Sequence, residues 1–146
     1  MSVFADASAL VKLYADEEDH GLVRQLDAVA VAEISRVEVP AALWRKQRIG
    51  ELRSEHAQVL TASFEADYFG TAGEPPRFSV VSLSARLLDH AARLCAVHAL
   101  RGFDAVQLAC ALAARLADGD CTVFAAFDAG LRRAAASEGF QLLPHG

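Results

Sequence analysis

Short apolar, β-prone runs alternate with longer helical stretches along the chain, and this alternation constrains the fold more than any other feature. The β-prone runs cover residues 2–5, 29–34, 78–83 and 121–127, and 140–143 adds a short fifth run. Strands that alternate with helices, and that are too continuously apolar to face solvent, are typical of a parallel sheet covered on both faces. The pattern predicts an α/β fold with three layers, helix on sheet on helix, and a mostly parallel sheet of four to five strands.

The intervals between these runs carry apolar residues at helical spacing. The predicted helices cover residues 7–14, 20–28, 36–49, 52–69, 84–98, 104–117 and the segment from Asp128 to about Gly139. We expect a single domain over residues 1–146, because this length is close to that of one typical domain and no linker or repeat divides it. A hydrophobic share of 53% and a charged share of 23% fit a globular protein.

The cysteines and the apolar segments bear on the cellular setting. Cys95, Cys110 and Cys121 are odd in number and lack a C-x-x-C spacing, which argues against a disulfide framework or a zinc site. A reducing, cytoplasmic location is therefore expected. The apolar stretch 105–114 is too short to cross a bilayer, and Asp6 interrupts the N-terminus before a signal region forms. We expect no membrane span, anchor or export signal.

Four acidic residues stand where the predicted strands end. Asp6 directly follows the first strand, Asp128 directly follows the fourth, and Glu38 lies three residues past Ser35 at the end of the second. Asp104 begins a helix that must descend to the start of the fourth strand, so this helix begins at the same edge. Because the carboxyl ends of parallel strands form the ligand-binding edge, we expect the four carboxylates to meet there.

Carboxylates packed together repel one another, and a hard divalent cation such as Mg²⁺ or Mn²⁺ relieves this repulsion because it prefers oxygen ligands. Ions held with open water positions activate a water for attack on a phosphodiester and stabilise the leaving oxygen. The array predicts phosphodiester hydrolysis. The predicted metal ligands, which are also the predicted catalytic residues, are Asp6, Glu38, Asp104 and Asp128.

Each acid also has a purely structural interpretation. Asp6 and Asp128 stand where an N-cap residue accepts hydrogen bonds from the first N–H groups of a helix. Ser35 and Glu38 have the spacing of a capping box. Asp104 in the first turn of its helix is favoured by the helix dipole. Only their joint placement favours a metal site.

Four segments together resemble the acidic motifs of the PIN-domain family, and in particular the VapC-like toxins. They are VFADASAL at residues 3–10, SRVEV at 35–39, LRGFDAVQLA at 100–109 and FDAGL at 127–131. Order and spacing agree across nearly the whole chain. Pro40 departs from an unbroken helix begun at Ser35, because it lacks the N–H used there; the sequence predicts a kink or a later helix start.

The resemblance implies a PIN fold and an Mg²⁺- or Mn²⁺-dependent endoribonuclease that acts as the toxin of a toxin–antitoxin pair. It further implies a small cognate antitoxin that covers the site, and a homodimer. Asp6 and Asp104 would be the principal metal ligands, Glu38 and Asp128 would complete or support the site, and Ser8 would form hydrogen bonds within it.

A net charge of -5 provides no general basic surface, so contacts to RNA phosphates must be local. The residues suggested for such contacts are Arg45, Lys46, Arg48, Arg53, Arg132 and Arg133. Competing functions have weaker support. A haloacid-dehalogenase phosphatase needs an acid at Ser8, and a receiver-like binding module needs an Asp at the end of the third strand. A catalytically inactive PIN-like module is expected to have lost an acid, whereas this chain keeps all four.

Overall fold

The computed structural model describes residues 2–146, and these residues form five strands and seven helices. The strands are β1 (Ser2–Ala5), β2 (Val29–Ala32), β3 (Phe78–Val81), β4 (Cys121–Ala125) and β5 (Gln141–Leu143). The helices are α1 (Ala7–Val11), α2 (His20–Arg24), α3 (Ser35–Arg48), α4 (Ser54–Phe69), α5 (Ala85–His98), α6 (Gly102–Ala117) and α7 (Ala129–Ser137). The predicted order of elements is confirmed. Several elements are a few residues shorter than predicted, because the ends of apolar runs continue into turns.

All five strands are parallel, in the order β3-β2-β1-β4-β5. The chain first builds outward from β1 through β2 to β3. It then crosses back through α5 and α6, adds β4 on the other side of β1, and ends with β5. The strand order therefore reverses between β1 and β4, and the crevice at the carboxyl ends of two such strands is where open α/β sheets bind ligands.

A separate hydrophobic core lies on each face of the sheet, which gives the predicted three layers. On one face, α5, α6 and α7 cover the sheet, and the rings of Phe4 and Phe124 stack with their centroids 5.5 Å apart. On the other face, Leu10, Leu43 and Phe64 bring α1, α3 and α4 onto the sheet. Full burial of side chains of this size contributes roughly 1.5–3 kcal/mol each, so both layers hold the strand ends firmly.

None of the helices within residues 2–146 combines the length and the apolar character needed to cross a membrane.

Helix α3 begins at Ser35 and runs to Arg48 with Pro40 inside it. The expected later start caused by Pro40 is therefore wrong. Pro40 stands five residues into the helix, and Glu38 in the preceding turn still donates its backbone N–H to the carbonyl of Ile34 at 3.1 Å. Glu38 accordingly keeps its predicted place in the first helical turn.

Candidate active site

Asp6 is a buried carboxylate at the end of the central strand. Its side chain caps α1, and the residue is only 5% exposed. The Oδ1 atom accepts hydrogen bonds from Ser8 Oγ at 2.7 Å and from the Ala9 N–H at 3.0 Å, and no residue in the described part of the chain donates to Oδ2. The pKa of Asp6 is raised to about 7, chiefly by burial; the two hydrogen bonds lower it, and the charges of Glu38 and Asp104 add to the increase.

Glu38 is held by a residue from a distant helix. Gln107 Nε2 in α6 donates hydrogen bonds to Glu38 Oε1 at 2.7 Å and to Ser35 Oγ at 3.2 Å. The capping-box interpretation is wrong, because the N-cap position belongs to Ile34 and no side chain of residues 2–146 caps α3. Burial raises the pKa of Glu38, the Gln107 hydrogen bond lowers it, and the charge of Asp104 raises it.

Asp104 and Asp128 are linked through one guanidinium group. Arg101 Nη2 lies 3.2 Å from Asp104 Oδ2 and 3.5 Å from Asp128 Oδ1. The other oxygen of Asp128 accepts from the Leu131 N–H at 2.9 Å and so caps α7. The predicted cap is therefore confirmed for Asp128, and its other oxygen pairs with Arg101. Its role as a metal ligand stays a prediction.

The four predicted acids lie along the carboxyl edge of the sheet, at the reversal between β1 and β4. Ser8 connects the two strand ends, because its Oγ also accepts from the Phe127 N–H at 3.1 Å. Asp6, Glu38 and Asp104 are near enough for their charges to act on one another. As they stand, no three His, Cys, Asp or Glu side chains of residues 2–146 converge tightly enough to enclose a metal ion.

The chemistry of this donor set fits a hard divalent cation. All of the acids offer oxygen, which Mg²⁺ and Mn²⁺ prefer. The pKa of Asp6 is affected by burial, by two hydrogen bonds and by two further carboxylates. No positively charged side chain from the described residues affects it. A buried carboxylate without a compensating cation is costly, and a bound metal ion would remove that cost.

An open cleft of about 450 Å³ borders two of the acids, Glu38 and Asp104. Its lining consists of Glu38, Arg101, Gly102, Phe103 and Asp104. The Phe103 ring is 65% exposed although it stands next to a charged site. The cleft thus combines carboxylates, one guanidinium and an accessible aromatic face.

The basic residues suggested by the sequence have mixed surroundings. Lys46 forms ion pairs with Glu17 and Glu51, and Arg132 donates to the backbone carbonyls of Ala126 and Pro144. These two cations are therefore engaged within the fold. Contact of the other suggested residues with RNA stays a prediction.

Sequence reasoning missed Arg101 and Gln107 as parts of the site. Arg101 stands three residues before Asp104, which is the spacing of neighbours on a helix face. Gln107 interrupts the apolar stretch 105–114 and is 2% exposed. A polar residue in a buried helix face needs a partner, and this was the available signal.

Known proteins of one family match most of this chain. The model of the PIN-domain family matches residues 3–137. Ribonuclease VapC45 of Mycobacterium tuberculosis (strain CDC 1551 / Oshkosh) is 37% identical over 115 residues, covering 76% of this chain and 75% of its own length. Ribonuclease VapC49 of Mycobacterium tuberculosis (strain ATCC 25618 / H37Rv) matches with the same identity and coverage.

Two solved structures share the fold. The crystal structure of Mycobacterium tuberculosis VapC20, a toxin that cleaves the sarcin–ricin loop, has a TM-score of 0.61 at 18% identity and covers 94% of this chain and 95% of its own. The crystal structure of FitAcB from Neisseria gonorrhoeae has a TM-score of 0.57 at 17% identity, with coverages of 92% and 93%. At these identities the likeness concerns the fold.

Proposed function

The chain belongs to the PIN-domain family, and from this premise we propose that it is a metal-dependent endoribonuclease that acts as the toxin of a toxin–antitoxin pair. The observation that carries the metal-dependent part is Asp6, which is buried near the charges of Glu38 and Asp104 and whose pKa is not affected by any positively charged side chain of residues 2–146. The ribonuclease part is supported by the 37% identical relatives, whose names describe ribonucleases.

In this proposal Asp6, Glu38 and Asp104 hold Mg²⁺ or Mn²⁺, and Asp128 supports the site. A divalent ion bound there would activate a water and stabilise the charge that develops on the phosphodiester. Ser8 fixes the orientation of the Asp6 carboxylate, and Gln107 fixes that of Glu38. Both hydrogen bonds come from elements packed in the core, so the acids are preorganised before substrate binds.

The substrate and the partners complete the proposal. The substrate is RNA, which reaches the acids through the open cleft beside Phe103. A cognate antitoxin covers the same edge of the sheet, and the toxin forms a homodimer that acts in the cytoplasm. Residues 1–146 act as one domain. Size-exclusion chromatography with light scattering tests the dimer, which has a mass twice the 15.6 kDa of one chain.

The test of activity uses the purified chain with a mixed single-stranded RNA pool in Mg²⁺, in Mn²⁺ and in EDTA. Asp6→Asn and Asp104→Asn remove metal ligands with little change in shape, and Asp89→Asn on the exposed face of α5 is the matched control. Isothermal titration calorimetry measures metal binding separately from cleavage. We expect metal binding and metal-dependent cleavage in the unaltered chain and in the control, and loss of both in the two site variants.

Other outcomes contradict separate parts of the proposal. A folded chain that binds neither metal contradicts the metal site. A chain that binds metal but leaves the whole RNA pool intact is a binding module instead of a general ribonuclease. Cleavage that persists in Asp6→Asn and Asp104→Asn contradicts the assignment of these residues.

A further inference from the structure

The Arg101 guanidinium contacts carboxylate oxygens of Asp104 and Asp128 that a metal ion would use as ligands. Its Nε and Nη2 atoms lie 3.3 and 3.2 Å from Asp104 Oδ2, and Nη2 lies 3.5 Å from Asp128 Oδ1. A guanidinium group and a divalent cation that draw on the same carboxylate oxygens compete for them. Arg101 is the only described cation that pairs with either of these two acids.

Little besides these ion pairs holds the Arg101 side chain. The residue is the N-cap of α6, its backbone is extended, and its side chain is 80% exposed. Ion pairs of such exposed side chains are weak, since water screens them and the long side chain loses freedom. A divalent ion bound to Asp104 would therefore displace the guanidinium at small cost.

A displaced Arg101 stays at the mouth of the cleft that Glu38, Phe103 and Asp104 also line. The planar guanidinium fork matches the oxygens of a phosphate and donates two parallel hydrogen bonds to them. The chain has a net charge of -5, which repels a polyanion such as RNA. A cation directly beside the acids would offset this repulsion where the substrate binds.

We propose that Arg101 is a switchable cation of this site: it pairs with Asp104 and Asp128 while no metal is bound, and it binds a phosphate of the RNA substrate once a divalent ion has taken those carboxylates. The inference rests on the proposed function and deepens it, because it assigns a substrate-binding residue. It also gives an order of events, with metal binding before productive RNA binding.

The test measures two affinities that must move in opposite directions. Calorimetry with Mn²⁺ measures metal affinity, and fluorescence anisotropy with a short labelled single-stranded RNA pool in Mn²⁺ measures RNA affinity, with the integrity of the RNA checked on a gel. The variants are Arg101→Ala and Arg101→Lys. Arg93→Ala on α5 is the control, because it removes the same charge from an exposed residue that forms no ion pair within residues 2–146.

Arg101→Ala is expected to bind Mn²⁺ about two- to fivefold more tightly, since its competitor is gone. The same variant is expected to bind RNA about tenfold more weakly. The slope of log RNA affinity against log salt concentration should become shallower by the amount that one phosphate contact contributes. Arg101→Lys keeps the charge without the fork, so its Mn²⁺ affinity should stay near that of the unaltered chain while RNA binding weakens. Arg93→Ala should change neither affinity.

Unchanged or weaker Mn²⁺ binding by a folded Arg101→Ala variant overturns the competition, and unchanged RNA binding overturns the phosphate role. Both results leave the proposed function intact, provided that the unaltered chain binds Mn²⁺ and cleaves RNA. An unaltered chain that binds no Mn²⁺ contradicts the proposed function itself and removes the basis of the switch.

Discussion

The Gln107 side-chain amide donates a 2.7 Å hydrogen bond to Glu38 across 69 positions of sequence. The same amide nitrogen reaches Ser35 Oγ, so one buried group of α6 fixes the first turn of α3. Without this hydrogen bond, the Glu38 side chain would populate several rotamers at the edge of the sheet. Gln107 is therefore a positioning residue for a proposed metal ligand.

Replacing Gln107 by Met keeps the side-chain volume and removes the donor. Loss of the bond leaves Ser35 Oγ buried without this partner, so we expect the free energy of unfolding to fall by about 1–3 kcal/mol. Metal affinity should fall as well, because Glu38 loses its fixed orientation. Urea unfolding and Mn²⁺ calorimetry measure the two effects.

Gln58→Met on the exposed face of α4 is the matched control and should change neither quantity. A Gln107→Met variant that loses stability but keeps full metal affinity shows that Gln107 only supports packing.

Ser8 ties Asp6 to the segment that follows β4. Its Oγ donates to Asp6 Oδ1 and accepts from the Phe127 N–H, so Ser8→Ala breaks both bonds and leaves two buried or half-buried groups without these partners. We expect unfolding free energy to fall by about 1–2 kcal/mol and Mn²⁺ affinity to fall with it. Ser63→Ala on α4, an exposed position, should be close to neutral. Unchanged metal affinity in Ser8→Ala argues that the hydroxyl does not orient Asp6.

The fold and the four acids were predictable because both depend on local patterns. Alternating apolar runs predicted the order of elements. An acid directly after a strand was predicted to lie at the carboxyl edge of the sheet. The order of the strands was not predictable in this way. It depends on β4 pairing with the far side of β1, after a crossover in which α5 and α6 pack on one face of the sheet, and no local pattern specifies that pairing.

The contacts that hold the acids were less accessible to sequence reasoning. Gln107 and Glu38 belong to different helices, and their pairing appears only when α3 and α6 meet at the sheet. The capping-box interpretation failed because α3 has Ile34 at its N-cap position, so Ser35 lies inside the helix, where it and Glu38 accept hydrogen bonds from Gln107. Asp128, by contrast, makes the predicted cap with one oxygen and pairs with Arg101 through the other, because a carboxylate has two oxygens to use.

Asp6 makes the stability of the metal-free chain depend on pH. Burial, with repulsion from Glu38 and Asp104, raises its pKa from 3.8 to about 7, so the folded state binds a proton that the unfolded state releases. This contribution to stability is fully present below the unfolded pKa of 3.8 and is lost as pH rises through the folded pKa. Between these values we expect unfolding free energy to fall with rising pH, by at most about 1.4 kcal/mol per pH unit.

Urea unfolding in EDTA at a series of pH values measures this slope, and Asp6→Asn is the reference because it removes this carboxyl group and keeps every other ionisable residue. The difference between the two chains should flatten above about pH 7. Mg²⁺ should stabilise the unaltered chain more at high pH than at low pH, since it competes with the proton for Asp6. A pH dependence identical in the two chains contradicts the raised pKa.

Phe103 provides a prediction about substrate binding that is independent of charge. Its ring is 65% exposed and lines the cleft beside Asp104, so it contributes little to folding and can stack on an RNA base. Phe103→Ala is expected to leave unfolding free energy nearly unchanged and to weaken RNA binding by about 1–3 kcal/mol, whereas Phe103→Trp should retain it. Val97→Ala on α5, which truncates a residue that is 72% exposed, is the control. If fluorescence anisotropy shows equal RNA affinity for Phe103→Ala and the unaltered chain, the ring does not stack on substrate.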